Sequence, residues 1–159
     1  MTNPIEHKFD PHDVGTYLRD TFEASPIEPL QPNTAPAATG IYALYWRGSL
    51  VYVGKALATG GGVTLGRRLD EHYRKIAEQS KIPIEEVTCR WLVMNDDFMI
   101  DACESYLRRH YKPLWDGSGF GSHVPGRGRP GHRGPSRWER EFCFPLDEGS
   151  PEEGGTSEG

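Results

Sequence analysis

The sequence predicts an α/β (α+β) fold, a small and mainly antiparallel three-stranded sheet flanked by helices. Three observations predict it. Residues 40–54 form two runs of β-branched and aromatic residues around Arg47-Gly48-Ser49, which is typical of a β-hairpin. Residues 87–93 predict a third strand, because successive side chains alternate between two sets. One set is Val87, Cys89, Trp91 and Val93, and the other is Thr88, Arg90 and Leu92. Segments with helical spacing follow the hairpin and the third strand, and this β-β-α-β-α order with short links favours one sheet packed by helices.

Residues 1–37 are predicted to form an N-terminal helical arm and a Pro-rich connector. The segment from Phe9 to Ala24 has apolar residues at helical spacing, and Asp10 or Asp13 is a candidate N-cap. Four prolines between positions 26 and 36 then indicate an extended connector. We therefore expect the core of the domain to begin near residue 38.

Two further helices are predicted inside the core, which we place at 38–116. The first covers about 65 to 79 after a candidate cap at Thr64, and an apolar stripe with one histidine runs along it. The members of this stripe are Leu65, Leu69, His72 and Ile76. The second covers about 96 to 110 and stops before Pro113, because proline cannot continue a helix.

The composition changes after Trp115. Seven glycines lie between 117 and 135 with little apolar content, so we expect this stretch to stay outside the core. Trp138 and Phe142 indicate that the chain then returns to the core. The residues from 117 to 146 are thus predicted to be a Gly/Arg-rich extension, and residues 147–159 a disordered acidic tail.

The extension carries a cluster of basic side chains. Such side chains on a Gly-rich segment suit contact with phosphates and the reading of guanine in the major groove, so we expect DNA contacts here. A basic linker without a binding role is the alternative. The cluster comprises His123, Arg127, Arg129, His132, Arg133 and Arg137.

The formal net charge of −5 is unevenly distributed. Residues 147–159 carry five acids and no base, and residues 1–30 carry six acids and two bases. The middle, 31–146, carries 12 acids and 16 bases, so it is mildly basic. A nucleic-acid partner is therefore compatible with the acidic total, because the clustering of the bases is what matters for phosphate contact.

Other classes of protein are disfavoured. No stretch approaches the roughly 18 apolar residues of a membrane span, and the first residues lack the order of a signal peptide, so we expect a cytoplasmic protein. The three cysteines, Cys89, Cys103 and Cys143, are widely spaced and form no Cys-x-x-Cys pair. We expect reduced thiols packed as small apolar groups rather than a zinc ribbon or a disulfide framework.

Several short motifs occur in a characteristic order. Gly40-Ile41-Tyr42 is followed ten residues later by Tyr52-Val53-Gly54, then by Arg68 and Glu104 on the two predicted core helices, and by a Pro-Leu-Trp-Asp that ends at Asp116. This pattern resembles the GIY-YIG nuclease superfamily over residues 40–116. The resemblance implies a β-β-α-β-α nuclease core, with Val in place of the second Ile.

A closer resemblance extends over most of the chain. Phe9-Asp10-Pro11, the pairing of Arg68 with His72, and the Gly-Phe-Gly-Ser-His-x-Pro-Gly run from Gly119 are similar to one restriction subgroup. Its members are the small GIY-YIG enzymes that cut the same CCGCGG site as SacII. The resemblance implies a type II restriction endonuclease that binds double-stranded DNA, with a palindromic site favouring a homodimer. A separate cognate methyltransferase is then an expected partner.

The hairpin register decides whether two tyrosines act together. If the loop consists of residues 47–49, Leu44 pairs with Tyr52, and Tyr42 and Tyr52 share one face of the sheet. A loop of two or four residues would place them on opposite faces. On one face, the two phenols are candidates for positioning a water and a phosphate oxygen; ordinary strand aromatics are the alternative.

Arg68 and His72 are four residues apart and so project from one face of their helix. A guanidinium beside a scissile phosphate neutralises the charge that develops on its oxygens, and an imidazole one turn away can orient a tyrosine hydroxyl or accept its proton. A solvated face for Arg68 and a satisfied core position for His72 are the alternatives. The resemblance favours the catalytic roles.

Glu104 lies at the edge of an apolar helix side, where a half-buried carboxylate needs a partner. The resemblance implies that it is the lone protein ligand of Mg²⁺, with Mn²⁺ as a substitute, and water and phosphate oxygens suit the rest of the shell. A salt bridge to Arg108 is the structural alternative. Lys55 is a candidate for lowering the pKa of the water or of a tyrosine, for phosphate contact, or for simple solvent exposure.

Asp116 departs from the superfamily pattern, which has Asn at this position. An Asp keeps one acceptor but adds charge and loses the amide donor, so it either supports the metal or weakens the site. The predicted function is Mg²⁺-dependent hydrolysis of phosphodiester bonds in duplex DNA. A structure-specific or nicking nuclease of repair or mobile elements and an inactive DNA-binding module are the alternatives.

Overall fold

The computed structural model describes residues 9–121 and 134–144. Within these ranges, one sheet of four strands is combined with four helices, and single 3-10 turns at Thr59–Gly61 and Ile84–Glu86 precede α2 and β4. The elements, in chain order, are α1 (Pro11–Ala24), β1 (Glu28–Pro29), β2 (Gly40–Trp46), β3 (Ser49–Ala56), α2 (Leu65–Gln79), β4 (Val87–Val93), α3 (Ile100–Tyr111) and α4 (Arg137–Phe142).

The sheet has the strand order β1-β4-β2-β3, and every neighbouring pair is antiparallel. The three predicted strands and the flanking helices are present, so the predicted fold class is confirmed. The prediction of three strands was incomplete, because the two-residue β1 pairs with the edge of β4. Two residues that include a proline carry no strand periodicity, which explains why this edge was missed.

The β2–β3 hairpin contains a loop of two residues, which is one of the alternatives to a loop of residues 47–49. Trp46 pairs with Ser49, and Arg47 and Gly48 both have positive φ angles of 51° and 78°, as a type I′ turn requires. A β-bulge then shifts the register, so that Leu50 pairs with Tyr45 and Tyr52 pairs with Leu44. The bulge thus restores the expected pairing of Tyr52 despite the shorter loop.

The helix boundaries follow local capping chemistry. Asp10 caps α1 by accepting a hydrogen bond from the backbone N of His12, and Thr64 caps α2 by accepting one from Arg67. The predicted span of α2 is confirmed, whereas α3 begins at Ile100 and not at residue 96. The reason is that the Asp96 carboxylate accepts a hydrogen bond of 2.9 Å from the Phe98 backbone N, which holds a turn before the helix.

The sheet separates two apolar clusters. One face packs against α1 and α3 through Phe22, Ile100 and Leu107. The other face packs against α2 through the predicted stripe, all of which is buried, and against the region that follows α3. The expectation that residues 117–135 lie outside the core is wrong at Ser118 and Phe120, which are 3% and 4% exposed.

The return of the chain to the core is confirmed, because Trp138 on α4 is fully buried and Phe142 packs beside it. Arg127, Arg129 and Arg133 with their neighbouring histidines, and the predicted acidic tail, lie outside the described residues. In the part of the chain that the structure describes, no helix is long and apolar enough to cross a membrane. All three cysteines are free thiols, as predicted, and Cys89 and Cys103 are buried.

Candidate active site

A cleft of about 630 Å³ opens beside β3, between α2, α3 and the turn that follows α3. It brings together most of the side chains that were predicted to act, and His72 lies directly behind one of them. The predicted residues that line the cleft are Tyr42, Tyr52, Lys55, Arg68, Glu104 and Asp116. We call Tyr42, Tyr52, Arg68 and His72 the tyrosine wall, and Lys55, Glu104, Arg108 and Asp116 the carboxylate wall.

The first contact of the tyrosine wall joins a strand to a helix. Tyr42 on β2 is 1% exposed, and its Oη lies 2.7 Å from Nε2 of His72 on α2. Gly54 pairs with Tyr42 across the hairpin, and a Cβ at Gly54 would lie 2.5 Å from the same hydroxyl oxygen. The second tripeptide therefore ends in glycine because the Tyr42 phenol occupies the space of a side chain.

Aromatic packing holds the His72 imidazole in place. The ring of Phe120 stacks on it with centroids 4.8 Å apart and an interplanar angle of 25°, and Tyr52 meets it edge-on at 5.4 Å. His72 is thus both a member of the buried stripe of α2 and a hydrogen-bond partner of a tyrosine. The core position of His72 is confirmed by its burial, whereas its catalytic role stays a prediction with which the contact to Tyr42 is compatible.

Both tyrosines of the wall are neutral phenols near neutral pH. Burial raises the pKa of Tyr42 well above its ordinary value, and the neighbouring Tyr52 raises it further. Burial likewise raises the pKa of Tyr52. The bulge in β3 creates this pair, because it places Tyr52 on the same face as Tyr42 with ring centroids 6.0 Å apart.

Arg68 supplies positive charge beside the two phenols. Its side chain is 13% exposed, and Nη1 donates to Glu71 Oε2 at 2.9 Å. The guanidinium partly offsets the rise in pKa of both Tyr42 and Tyr52, and all three residues line the same cleft. A half-buried cation at the cleft suits an anionic group of a substrate better than it suits a solvated face.

Glu104 on α3 forms the centre of the carboxylate wall. Its side chain is 15% exposed, with Oε2 lying 3.4 Å from Lys55 Nζ and Oε1 lying 3.7 Å from Arg108 Nη1. Lys55 also donates a hydrogen bond to Asp101, which is the main reason that its pKa is raised. Lys55 is therefore a firm cation, which disfavours it as a proton acceptor.

Asp116, which stands where the superfamily pattern has Asn, forms an ion pair with Arg108. Asp116 Oδ1 accepts a hydrogen bond from Nη2 of Arg108. Sequence reasoning treated Arg108 only as a structural partner of Glu104 and did not single out Asp101 or Phe120. Helical spacing is a signal that could have identified Asp101 and Arg108. They lie three residues before and four residues after Glu104, so all three share one face of α3.

The donors present suit a hard, hydrated divalent cation. In residues 9–121 and 134–144, no group of three or more His, Cys, Asp and Glu is placed to hold a metal. A half-buried carboxylate at an open cleft fits Mg²⁺, which retains several waters and often takes only one or two protein carboxylates. Glu104 is the residue that would hold it, consistent with the expected ligand.

One predicted DNA contact lies apart from the cleft. Arg137 begins α4, is exposed, and has Nη1 at 3.8 Å from Glu141 Oε1, which is a weak surface ion pair. Arg137 is not among the described residues that line the cleft.

Comparison with solved structures finds GIY-YIG N-terminal endonuclease domains of UvrC from Thermotoga maritima. A point mutant bound to its catalytic divalent cation is 20% identical, with a TM-score of 0.39, and the match covers 62% of this chain and 93% of that one. The magnesium-bound form is 19% identical, with a TM-score of 0.36, and the match covers 62% and 94% of the two chains. No curated protein matches the sequence.

A family model does match the sequence. The model described as the Eco29kI GIY-YIG domain matches residues 50–142, which include Tyr52, Arg68 and Glu104 and begin eight residues after Tyr42. The matched region covers more than half of the chain. This protein therefore belongs to the Eco29kI GIY-YIG domain family, and with it to the GIY-YIG nucleases.

Proposed function

We propose that this DNA endonuclease is a type II restriction enzyme, which hydrolyses phosphodiester bonds of duplex DNA at a short GC-rich palindrome with Mg²⁺ as its cofactor. One observation carries the catalytic part of this proposal. A hydrogen-bonded Tyr42–His72 pair and the Arg68 guanidinium face a half-buried Glu104 carboxylate across a single cleft. A proton relay, a phosphate-binding cation and a metal ligand are the components that phosphodiester hydrolysis requires.

In the proposed mechanism, Tyr42 relays a proton from the attacking water. Its oxygen accepts the proton of the water while its own proton passes along the 2.7 Å hydrogen bond to His72 Nε2. Because burial raises the pKa of Tyr42, a free phenolate is disfavoured, and this concerted relay keeps the phenol neutral throughout. Phe120 and Tyr52 keep the imidazole oriented for the transfer.

Two cations of the chain bind the phosphate in this mechanism. Arg68, half-buried beside the tyrosines, donates to the non-bridging oxygens and stabilises the charge that develops on them. Lys55 is the second cation, and we assign it to phosphate contact rather than to proton transfer because its pKa is raised. Tyr52 is assigned to orienting the water or a phosphate oxygen beside Tyr42.

Glu104 would hold the metal ion at the opposite side of the cleft. When bound, Mg²⁺ supplies Lewis-acid stabilisation of the phosphate and of the leaving 3′ oxygen. Mn²⁺ prefers the same oxygen ligands and is expected to substitute. Lys55 and Arg108, which lie near Glu104 in this structure, each have a second carboxylate, Asp101 and Asp116, that would hold them if Glu104 were bound to a metal ion.

The sequence read by the enzyme is proposed from the composition of the extension. Arg127, Arg129 and Arg133 are the candidates for guanine recognition, since Arg pairs best with guanine O6 and N7, and exposed Arg137 is a candidate for phosphate contact. We propose CCGCGG as the site. A palindrome requires two matched cuts, so a homodimer is expected, as is a separate methyltransferase that protects host DNA.

The experiment is cleavage of a sequenced plasmid by the full chain with Mg²⁺ and with EDTA, followed by mapping of the ends. Discrete fragments with ends at CCGCGG support the whole proposal. Nicked circles would instead indicate a nicking or structure-specific nuclease, and intact plasmid with retained binding an inactive DNA-binding module. Cuts at AT-rich sequences would contradict the proposed recognition of guanine and leave the proposed nuclease activity standing.

A further inference from the structure

Glu104 lies between two cations, and each cation has a second carboxylate of its own. Lys55 Nζ is 3.4 Å from Glu104 Oε2 and also contacts Asp101. Arg108 Nη1 is 3.7 Å from Glu104 Oε1, and its Nη2 donates to Asp116. These five charges sum to −1, which is the sign that a divalent cation at Glu104 needs.

The two contacts of Arg108 are unequal. Its contact with Asp116 is a hydrogen bond, whereas 3.7 Å from Glu104 is too long for one. Asp116 therefore binds the guanidinium by a hydrogen bond, whereas the interaction of the guanidinium with Glu104 is only electrostatic. Without a carboxylate at 116, the nearest acid left for Arg108 among the described residues is Glu104 itself.

Asp116 carries its carboxylate on a short side chain, and the turn that holds it is anchored by hydrogen bonds. The Asp116 N donates to Pro113 O at 3.0 Å, and the preceding Trp115 N donates to Val51 O of β3 at 2.8 Å. Trp115 is 3% exposed, so the turn is fixed to both the sheet and the core. Arg108, in contrast, reaches the cleft on a long flexible side chain that is 44% exposed. Asp116 thus determines where the guanidinium lies.

We propose that Asp116 is a positioning residue, which holds the Arg108 guanidinium away from Glu104 and cancels its charge so that Glu104 can take a divalent cation. This inference rests on the proposed function, in which Glu104 is the metal ligand. An Asn at this position keeps one acceptor oxygen but removes the charge. Arg108 would then compete with the metal for Glu104 as an uncompensated cation.

The test is the affinity of the full chain for Mn²⁺ alone, without DNA, measured from the electron paramagnetic resonance signal of free Mn²⁺. Asp116→Asn is expected to weaken binding about tenfold or more, the usual range for residues that orient a metal ligand. Adding Arg108→Gln to this variant should restore binding to within about threefold of wild type, because the competing cation is gone. Arg108→Gln alone should bind at least as tightly as wild type.

Glu141→Gln is the matched control, because it removes one carboxylate from an Arg ion pair on α4, outside the cleft. It should leave Mn²⁺ binding unchanged. Wild-type affinity in Asp116→Asn, or a double variant as weak as Asp116→Asn, would overturn the inference. Weaker binding by Arg108→Gln would do the same without relying on the folding of Asp116→Asn.

Glu104→Gln separates the two proposals. If it binds Mn²⁺ as wild type does, Glu104 is not the ligand and both are overturned. If it loses binding while Asp116→Asn keeps it, the metal site stands and the role of Asp116 alone is overturned.

Discussion

The two walls of the cleft are held in place by different forces. The tyrosine wall is built from buried rings, with Tyr42 and His72 at 1% and 4% exposure and Phe120 stacked on the imidazole. The carboxylate wall is built from ion pairs, and its Arg108 and Asp116 side chains are 44% and 38% exposed. Packing fixes the first wall and charge fixes the second.

The difference indicates which part of the site can rearrange. A close-packed wall holds one geometry, because a displaced ring leaves a void or a clash, which suits a proton relay that needs a constant distance. Exposed ion pairs exchange partners at little cost. The carboxylate wall can therefore release Glu104 from Lys55 and Arg108 when a metal ion and a phosphate arrive.

The largest expected effect is a loss of cleavage when the carboxylate wall is changed. The stability of the fold should be retained in the same variant. Glu104→Gln should lower the single-turnover rate by about 10³-fold or more, since it removes the proposed metal ligand. Its free energy of unfolding should change by less than about 1 kcal/mol, because the lost partners are solvent-screened cations. Glu78→Gln, an exposed acid on α2, is the control, and Mg²⁺-dependent cleavage retained by Glu104→Gln would sink the assignment.

The next effect is on the tyrosine wall. Tyr42→Phe keeps the buried ring and removes only the hydroxyl that contacts His72, so the rate should fall by about 10²-fold, a typical share for proton transfer. Binding of DNA in Ca²⁺ should be unchanged. The control is Tyr17→Phe, which removes the hydroxyl of an exposed tyrosine on α1. A Tyr42→Phe variant that cleaves at a near wild-type rate shows that the hydroxyl is only structural.

A smaller effect is expected on the free energy of unfolding when the packing of the tyrosine wall is changed. Phe120→Leu removes the ring that stacks on His72 and should lower the free energy of unfolding by about 1–2 kcal/mol in urea, from lost packing and lost ring contact. Phe98→Leu, at an 84% exposed phenylalanine, should leave stability unchanged. Equal losses in the two variants would show that the ring against His72 contributes no special stability.

The smallest effect concerns alkaline pH. Because burial raises the pKa of Tyr42, the folded chain keeps a proton that the unfolded chain releases above the ordinary tyrosine pKa of about 10. Stability is therefore lost as pH rises from about 10, and Tyr42→Phe lacks this loss. The stability advantage of wild type over the variant should shrink by about 1 kcal/mol between pH 9 and 11. A constant difference across that range would contradict the burial of an un-ionised phenol.

Regular periodicity made much of the fold predictable. The α2 helix and the strand Val87–Val93 follow their sequence patterns to the residue, because apolar spacing and a capping threonine act locally. The start of α3 was misplaced, and the length of the hairpin loop could not be predicted. In both cases a single side chain or backbone conformation decides the outcome, the Asp96 carboxylate in one and the positive φ of Arg47 in the other.

The candidate site was predictable where motif residues lie on regular elements. The pairing of Arg68 and His72 on α2 follows from helical spacing, and their approach to Tyr42 follows from packing α2 on the sheet. The contact between Arg108 and Asp116 depends on how the turn after α3 closes, which residue spacing does not determine. Phe120 was missed because its glycine-rich neighbours suggested a solvent-exposed stretch, although Gly121 allows close approach to the Tyr52 hydroxyl.

The most direct test of the two-wall site measures metal binding and cleavage in the same two variants. Tyr42→Phe and Glu104→Gln are titrated with Mn²⁺, and each is then assayed for plasmid cleavage in Mg²⁺. The prediction is that Tyr42→Phe binds Mn²⁺ like wild type yet cleaves about 10²-fold more slowly, whereas Glu104→Gln neither binds nor cleaves. Loss of Mn²⁺ binding in Tyr42→Phe, or wild-type cleavage by either variant, would contradict a cleft with separate proton-transfer and metal-binding walls.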